Sequence, residues 1–543
     1  MIVQKSRENW LIVLIQSYIL IGLVIFGMVY AVNPAGFMFS VEATFYAMCC
    51  LFLGLTIWFF GSWYSVTKRL FDPYVLFLLS ALIFNGGQIV LEVFNLNENG
   101  FLNNVFTVGE SLQVVYLVTL AFAAMHFGAL LCIVLDRQKS APRQFLQLLD
   151  RSAFDVAPKS RIESAASAAI VPYVPLQLGA SEPPIGSSFR SSVIPARTIV
   201  TVGQIFLYIS ILPVLVTALG AIQVARSGGY ASVYEQQAVT GLAGSASIIA
   251  DFIFPGVFLV IAGGKDKPKL RIFAVLYLLF YTCAKLAIGT RGAAVMPLLA
   301  MLWLWDSVVR PLPRMLLVAI SAVMLMVVFP VIGATRNEVA GVDLFSMEFL
   351  SKTLAGVNNP LVSSISEMGF SATTIGWTMQ LVPTVRPFAL GSSFVMGLLI
   401  LIPNVFSSGR HPALTMSGYD IPDFWLVGEL DKEFAERGGS FGFSFIAEAY
   451  LNFGWFGIIL MGMIGFFLAK SVEWCLRDRD PAKMAIIAIF VSFFLFYPRG
   501  SSQMVFRPLI WYSVVPYLWM RWLSKLSPNR VKELSNAMRK GEK

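Results

Sequence analysis

About a dozen long apolar stretches divide this chain, and no other feature of the sequence limits its fold as strongly. The hydrocarbon core of a bilayer is ~30 Å thick, and a helix needs ~20 apolar residues to cross it. Of the 543 residues, 57% are hydrophobic and only 13% are charged, with a mean hydropathy of +0.73. Because water-soluble domains do not have this composition, the sequence predicts an all-α, polytopic bundle of membrane helices.

The apolar stretches predict twelve transmembrane helices. They lie near 10–32, 42–62, 73–94, 112–135, 198–220, 246–263, 272–288, 293–309, 315–334, 444–469, 484–498 and 505–522. The first stretch, from Trp10 to Val32, is too long for the core of a signal peptide, so we interpret it as a retained helix. An even number of spans places both termini on the same side of the membrane.

The basic residues favour a cytoplasmic N-terminus. With that orientation, 29 of the 40 Lys and Arg residues lie inside, 10 lie outside and Lys285 lies within a span. This agrees with the positive-inside rule. The net charge of +9 therefore belongs to short loops beside the spans and does not indicate nucleic-acid binding. The five Cys lie in or beside spans, which predicts no disulfide framework.

This plan divides the chain into six parts. They are transmembrane helices 1–4 at 1–135, a disordered cytoplasmic linker at 136–197, transmembrane helices 5–9 at 198–334, a large outer (periplasmic) loop at 335–443, transmembrane helices 10–12 at 444–522, and a basic cytoplasmic tail at 523–543. The linker is rich in Ala, Ser, Pro and Arg and has no sustained period. A loop as long as the outer one is uncommon unless it is functional. Its apolar patch, Phe394–Phe406, is too short to span and predicts a re-entrant or interfacial segment, or the core of a small outer domain.

The outer basic residues are mostly arginines, and they indicate binding of an anionic substrate. Eight of the ten are Arg, whose planar fork binds pyrophosphate and carboxylate groups. The candidate ligands are Arg291, Arg336, Arg410, Arg499 and Arg507, together with Lys285, which can reach the same surface. Arg291 and Arg499 lie in short glycine-containing turns, where backbone N–H groups can approach a ligand. The competing interpretation is snorkelling at helix ends and ordinary solvation.

Two residues are candidates for a general base. His411 follows Arg410 in the outer loop, and a neutral imidazole suits base catalysis near pH 7, although it could equally be a solvated loop residue. Glu448 lies one turn into the tenth span and shares a helix face with Ser444 and Asn452. A carboxylate at that depth is either functional or the counter-ion of an arginine.

Other acidic patterns indicate less. The acidic stretch before the tenth span is interpreted as a solvated loop. It contains Asp420, Asp423, Glu429, Asp431 and Glu433. The sequence has no Walker loop, no HExxH motif and no carboxylate pair typical of a metal site, so we expect neither a metal nor a cofactor.

The stretch from Gly438 to Gly457 carries a family resemblance. A Gly/Ser-rich turn is followed by Glu448, Tyr450 and Asn452 at alternate positions, then Phe-Gly and a long apolar span. This pattern resembles the Wzy-type bacterial oligosaccharide repeat-unit polymerases, which make O-antigen and exopolysaccharide. The Gly-Thr-Arg-Gly turn at 289–292, the large outer loop and the membrane plan fit the same resemblance.

The resemblance implies a membrane glycosyltransferase in the bacterial inner membrane. It would transfer a growing glycan from undecaprenyl pyrophosphate to a sugar hydroxyl of a new lipid-linked repeat unit. The arginines and Lys285 would bind the pyrophosphate, so no metal is needed, and Glu448 or His411 would activate the acceptor hydroxyl. The implied partners are undecaprenyl-pyrophosphate-linked glycans, the lipid bilayer, a chain-length regulator and a flippase, but not nucleic acid.

Two alternatives share parts of this plan. An O-antigen ligase, or another glycosyltransferase that uses a lipid phosphosugar, would have the same spans, loop and arginines and would differ only in its acceptor. A glycan flippase or exporter would instead place charges along a cavity at mid-membrane depth. The span interiors here are nearly free of charge, which favours an enzyme at the outer face.

Overall fold

The computed structural model describes residues 2–32, 40–97, 100–154, 194–235, 242–330, 332, 359–402 and 421–526. Every regular element in these ranges is a helix. Nine of the described helices are long and apolar enough to cross a membrane. The chain is therefore an all-α polytopic membrane protein, and the predicted fold class is confirmed.

The helices follow one another along the whole described chain. In order they are α1 (Ile2–Val32), α2 (Val41–Thr67), α3 (Pro73–Ala81), α4 (Gly87–Val93), α5 (Phe101–Val105), α6 (Val108–Phe154), α7 (Ala196–Glu235), α8 (Leu242–Ala250), α9 (Ile253–Gly263), α10 (Pro268–Ala287), α11 (Arg291–Val308), α12 (Arg314–Val323), α13 (Pro360–Met368), α14 (Ser371–Leu381), α15 (Ser392–Leu399), α16 (Pro422–Leu430), α17 (Lys432–Glu436), α18 (Phe445–Phe453), α19 (Gly457–Arg477), α20 (Pro481–Phe494), α21 (Gln503–Arg507) and α22 (Val515–Leu526). Short π-helical segments at Leu82–Gly86, Met324–Val328 and Pro508–Val514 interrupt or extend three of the spans.

The nine membrane-crossing helices agree with most of the predicted spans. They are Glu8–Val32, Val41–Thr67, Pro73–Val93, Val108–Gln138, Ala196–Val224, Ala246–Asp266, Pro268–Ala287, Phe445–Arg477 and Pro481–Arg499. The other three predicted spans fall on α11, on Arg314–Val328 and on the helical run from Gln503 to Leu526, which are not among the nine. The count of twelve therefore stays a prediction.

One boundary differs from the prediction. Helix α6 does not end near 135 but continues to Phe154, so the first part of the predicted linker is helical. This segment contains Arg, Gln and Leu, which are good helix formers even without a membrane. Residues 155–193 of the predicted linker lie outside the described ranges.

Helix starts are set by local sequence signals. The side chain of Asp72 accepts a hydrogen bond from the Val75 amide at the start of α3, and Pro73 occupies the first turn. Asp480 and Pro481 repeat this arrangement at the start of α20. An N-cap oxygen followed by proline satisfies a free amide and preorganises the first turn, so these spans begin at fixed residues.

Close packing of α6 against α19 forms the centre of the bundle. A Cβ atom added to Gly465 would lie 1.9 Å from the carbonyl oxygen of Met125, and one added to Gly128 would lie 1.9 Å from that of Gly462. Small residues permit such close approach between membrane helices, which associate mainly through packing and hydrogen bonds. The α6–α19 pair thereby fixes the position of α18, which directly precedes α19.

The two ends of the bundle differ in chemistry. At one end, Asp136 of α6 binds Lys470 (2.6 Å) and Arg477 of α19, and Arg69 pairs with Glu473 at 2.7 Å. The opposite end carries the start of α18 and the turn after α20, and we call it the site end. The large loop contributes helices α13 to α17 to the described chain, and α15 packs against α21 there.

We expect Gly465→Ala to destabilise the bundle, because its new methyl group would meet the Met125 carbonyl. Overpacking of this kind costs about 1–3 kcal/mol. The matched control is Gly61→Ala in α2, where nothing lies within 4 Å of the new Cβ. Thermal unfolding in detergent should show a lower midpoint for Gly465→Ala and an unchanged or slightly higher one for Gly61→Ala. Equal midpoints for both variants would contradict the close α6–α19 contact.

Candidate active site

A completely buried carboxylate, that of Glu448, lies in the first turn of α18. Its Oε1 accepts hydrogen bonds from Ser393 Oγ (2.9 Å) and Ser502 Oγ (2.6 Å). Its Oε2 accepts from the Ser502 amide (2.7 Å) and the Tyr497 hydroxyl (3.3 Å). Burial of a carboxylate is costly unless donors surround it, and four donors meet that requirement here. None of the four is an arginine.

Glu448 connects segments that are distant in sequence. Ser393 belongs to α15 in the large loop, whereas Tyr497 and Ser502 belong to the turn after α20. Asn452, one turn further along α18, donates to Ser393 Oγ at 2.7 Å and accepts from the Gly391 amide at 2.8 Å. The face of α18 that was predicted from the spacing therefore binds the large loop at two successive turns.

The third span contacts both the start of α18 and the turn after α20. The π-helical segment Leu82–Gly86 contains Asn85, which is fully buried. Ser444 Oγ donates to Asn85 Oδ1 at 2.6 Å, and Asn85 Nδ2 donates to the Pro498 carbonyl at 2.9 Å. π-Helical segments often occur at functional sites, and this one turns a polar side chain towards the start of α18.

A second carboxylate, Asp423 of α16, lies close to Glu448. Asp423 is 6% exposed, and Ser501 Oγ donates to its Oδ1 at 2.8 Å. Burial raises the pKa of Asp423 above its ordinary value, while the hydrogen bonds from Ser501 and from its own backbone amide oppose this shift. Asp423 and Glu448 also interact electrostatically. Two consecutive serines, Ser501 and Ser502, thus each donate to one of two neighbouring carboxylates.

Arg291 is buried and paired. At the start of α11 it donates to the Phe329 carbonyl at 3.0 Å and forms an ion pair with Glu367 of α13. Its guanidinium group also lies over the Phe329 ring, 5.8 Å from the centroid. With 9% of its surface exposed, Arg291 is not a solvated turn residue.

Arg499 lies over an aromatic ring that belongs to the same apolar cluster as Phe329. Its guanidinium group is 5.8 Å from the centroid of the Phe84 ring. Phe84 and Phe329 form a small buried cluster with Met368, so Arg291 and Arg499 each lie over a ring of one cluster. Gly442, at a φ of +73°, allows the chain before α18 to pass beside the Arg499 side chain.

The cations Lys285 and Arg507 form a second group around Asp251. This acid lies between α8 and α9 and attracts both cations electrostatically. Arg507 donates to the Ile400 carbonyl at 2.5 Å, and its Nε is buried without a hydrogen-bond partner. The Lys285 ammonium group lies 5.3 Å from the centroid of the Tyr281 ring. The described cations predicted to bind substrate thus fall into two pairs, each with an acid nearby.

The remaining predicted site residues cannot be placed. Arg336, Arg410 and His411 lie outside the described ranges. Two other arginines of the large loop have local partners: Arg386 lies 4.9 Å from the centroid of the Trp425 ring, and Arg437 pairs with Glu433 at 3.5 Å on the surface.

Sequence reasoning missed the acids and hydroxyls that complete the site. Asp423 was assigned to a solvated loop, and Asp251 and Glu367 were given no role. For the hydroxyl groups of Ser501 and Ser502, the only indication in the sequence was their position directly after the turn that contains Arg499. In the described part of the chain, no group of three or more His, Cys, Asp or Glu side chains is arranged to hold a metal ion.

The fold and the site define a polytopic helical membrane protein with a buried carboxylate and arginines at one end of its bundle. Residues 188–529 match the family O-antigen polysaccharide polymerase Wzy, and the chain belongs to this family. The resemblance seen in the sequence is therefore confirmed, and with it a polymerase of polysaccharide biosynthesis in a membrane. No curated protein and no solved structure matches the chain.

We expect Glu448→Gln to destabilise the protein as well as inactivate it. In this variant an NH2 group replaces one carboxylate oxygen and faces hydrogen-bond donors. A buried donor without an acceptor lowers the free energy of unfolding by about 1–3 kcal/mol. Thermal unfolding in detergent measures the effect. The control is Glu429→Gln, because Glu429 is exposed on α16. An unchanged midpoint for Glu448→Gln would show that its four hydrogen bonds do not stabilise the site.

Proposed function

We propose that this protein polymerises oligosaccharide repeat units linked to undecaprenyl pyrophosphate, at the outer face of the bacterial inner membrane. The proposal depends on the position of Glu448, Arg291 and Arg499 at one end of the bundle. All three residues lie in the part of the chain that matches the family. A membrane-embedded site with arginines suits a lipid pyrophosphate donor, because the charged group of such a donor remains at the membrane surface.

The charges at the opposite end support this orientation. Lys470 and Arg477 there extend from α19, and the loop between α9 and α10 adds Lys265 and Lys267. A lysine-rich end is typical of the cytoplasmic side. In the proposal both termini are cytoplasmic, all twelve predicted spans cross the membrane, and the site end faces outwards.

The proposed reaction exchanges one glycosidic bond for another. The acceptor hydroxyl oxygen forms a bond to the anomeric carbon of the growing glycan. The bond from that carbon to the pyrophosphate oxygen breaks, and the lipid pyrophosphate leaves with the electron pair. Cations that neutralise the developing charge stabilise this leaving group, and such stabilisation is strongest where water is excluded.

The proposed pyrophosphate ligands are the arginines and the lysine predicted from the sequence. They are Arg291, Arg336, Arg410, Arg499, Arg507 and Lys285. Of the four described ones, Arg291 has Glu367 as its acid, and Lys285 and Arg507 share Asp251. These acids hold the cations in place when no substrate is bound. The pyrophosphate would replace the acids as the partner of the cations when it binds.

Glu448 and His411 are the proposed candidates for the base that takes the proton of the acceptor hydroxyl. Both oxygens of Glu448 already accept two hydrogen bonds each, so a proton reaches it most directly through the hydroxyl of Ser502 or Tyr497. A chain-length regulator and a flippase are proposed partners, because the repeat units must reach the outer leaflet before polymerisation.

Disruption of the gene in its own host tests the function. We expect the surface polymer to disappear, with single repeat units remaining on the outer leaflet or capped onto the surface acceptor. Analysis of lipid-linked and surface glycans, with their sidedness, measures this. Polymer that persists on its lipid carrier would instead indicate a ligase, and repeats held on the cytoplasmic leaflet would indicate a flippase. Re-expression of the intact gene is the control.

We expect Arg499→Lys to lower polymerisation by about 100-fold despite the retained charge, because the planar fork is lost. The measurement is polymer formation in the disrupted host at matched protein level. Arg437→Lys is the control, since Arg437 pairs with Glu433 on the surface with 60% of its side chain exposed. Normal polymer in Arg499→Lys would remove Arg499 from the pyrophosphate site.

A further inference from the structure

The two carboxylates of the site end have different surroundings. Glu448 accepts four hydrogen bonds, two on each oxygen, so its acceptor positions are occupied by the protein itself. Among the described residues, Asp423 accepts one hydrogen bond from a side chain, that of Ser501, and has its own backbone amide as a second donor. Asp423 therefore retains capacity to accept a hydrogen bond from a ligand, whereas Glu448 does not unless a donor leaves.

The position of Asp423 also suits contact with a substrate. It lies in the first turn of α16, a helix of the large loop outside the membrane-crossing helices. The next residue, Phe424, is 52% exposed, so α16 lies at the surface of the site end. Ser501 connects Asp423 to the turn that carries Arg499, the proposed pyrophosphate ligand. A group held by Asp423 would thus lie beside the proposed leaving group.

Asp423 and Glu448 interact electrostatically. Burial raises the pKa of Asp423, and a base is most effective when its proton affinity matches the working pH. The other described charged groups around α16 are the exposed residues Lys432, Glu433 and Glu436 of α17, and Arg386, which lies 4.9 Å from the centroid of the Trp425 ring. Arg499 belongs to the turn that Ser501 connects to Asp423, and α14 carries no charge.

We propose that Asp423, rather than Glu448 or His411, is the general base that accepts the proton of the acceptor sugar hydroxyl. This inference rests on the proposed function. In the step, the hydroxyl oxygen bonds to the anomeric carbon, its proton passes to Asp423, and the lipid pyrophosphate leaves with the electron pair of the broken bond. Ser501 orients the Asp423 carboxylate and is a positioning residue.

The test uses the purified full-length protein in detergent. The substrate is the pool of lipid-linked repeat units extracted from the host in which the gene is disrupted. We expect Asp423→Asn to slow polymer formation by about 100-fold or more, the usual contribution of a general base. The asparagine retains an oxygen that can accept from Ser501, so the thermal unfolding midpoint should stay near that of the wild type. Glu429→Gln, on the exposed side of the same helix, should keep the full rate.

The pH profile separates a base from a structural residue. The wild-type rate should fall on the acidic side as Asp423 becomes protonated, and this limb should vanish in Asp423→Asn. Ser501→Ala should shift the limb and lower the rate less than Asp423→Asn does, because the carboxylate remains.

Three results would overturn the proposal in distinguishable ways. A normal rate in Asp423→Asn, or an unchanged acidic limb, would exclude Asp423 as the base while leaving the polymerase function intact. Failure of the wild-type protein to form polymer from its own repeat units would overturn the proposed function, and this inference with it. An Asp423→Asn variant that is slow but strongly destabilised, with the acidic limb retained, would assign Asp423 a structural role.

Discussion

The hydrogen bonds to the buried Glu448 carboxylate are the interaction on which the site depends. A buried carboxylate is tolerated only when hydrogen-bond donors reach both of its oxygens. Ser393, Tyr497 and Ser502 provide these donors, so their positions are fixed by the Glu448 carboxylate. These donors come from the large loop and from the turn between the last two helical runs. One carboxylate therefore joins α15, α18 and the turn after α20, and any shift of one segment is opposed by the others.

The cations at the site end are balanced before a substrate arrives. Arg291 pairs with Glu367, and Lys285 and Arg507 lie near Asp251. The binding free energy of an anionic ligand would therefore be only the difference between its contacts with the cations and the ion pairs that it replaces. This keeps the affinity moderate and allows release. The proposed function requires this property, because a cluster of uncompensated arginines would retain the lipid pyrophosphate that leaves in each cycle.

The fold was predictable because membrane crossing is a local requirement: each span has to satisfy its own backbone, so length and hydropathy are sufficient. The unusual position of Glu448 was predictable for a similar reason, since a carboxylate within an apolar helix is conspicuous. Asp423 was not, because its burial results from contact with Ser501, 78 positions away in the chain. The Arg291–Glu367 pair spans 76 positions, and no local pattern indicates it. The extension of α6 to Phe154 was missed because helix propensity acts there without hydrophobic periodicity.

The same end of the bundle holds two carboxylates whose surroundings suit different tasks. Enzymes that use paired carboxylates commonly separate their roles through the environment of each. Here the separation follows from the number of donors: Glu448 receives them from three residues and stays enclosed, while Asp423 receives one side-chain hydroxyl and lies next to an exposed residue. The consecutive residues Ser501 and Ser502 each donate to one of the two carboxylates and so fix their positions relative to each other. In the proposed mechanism, one acid fixes the site and the other accepts the proton.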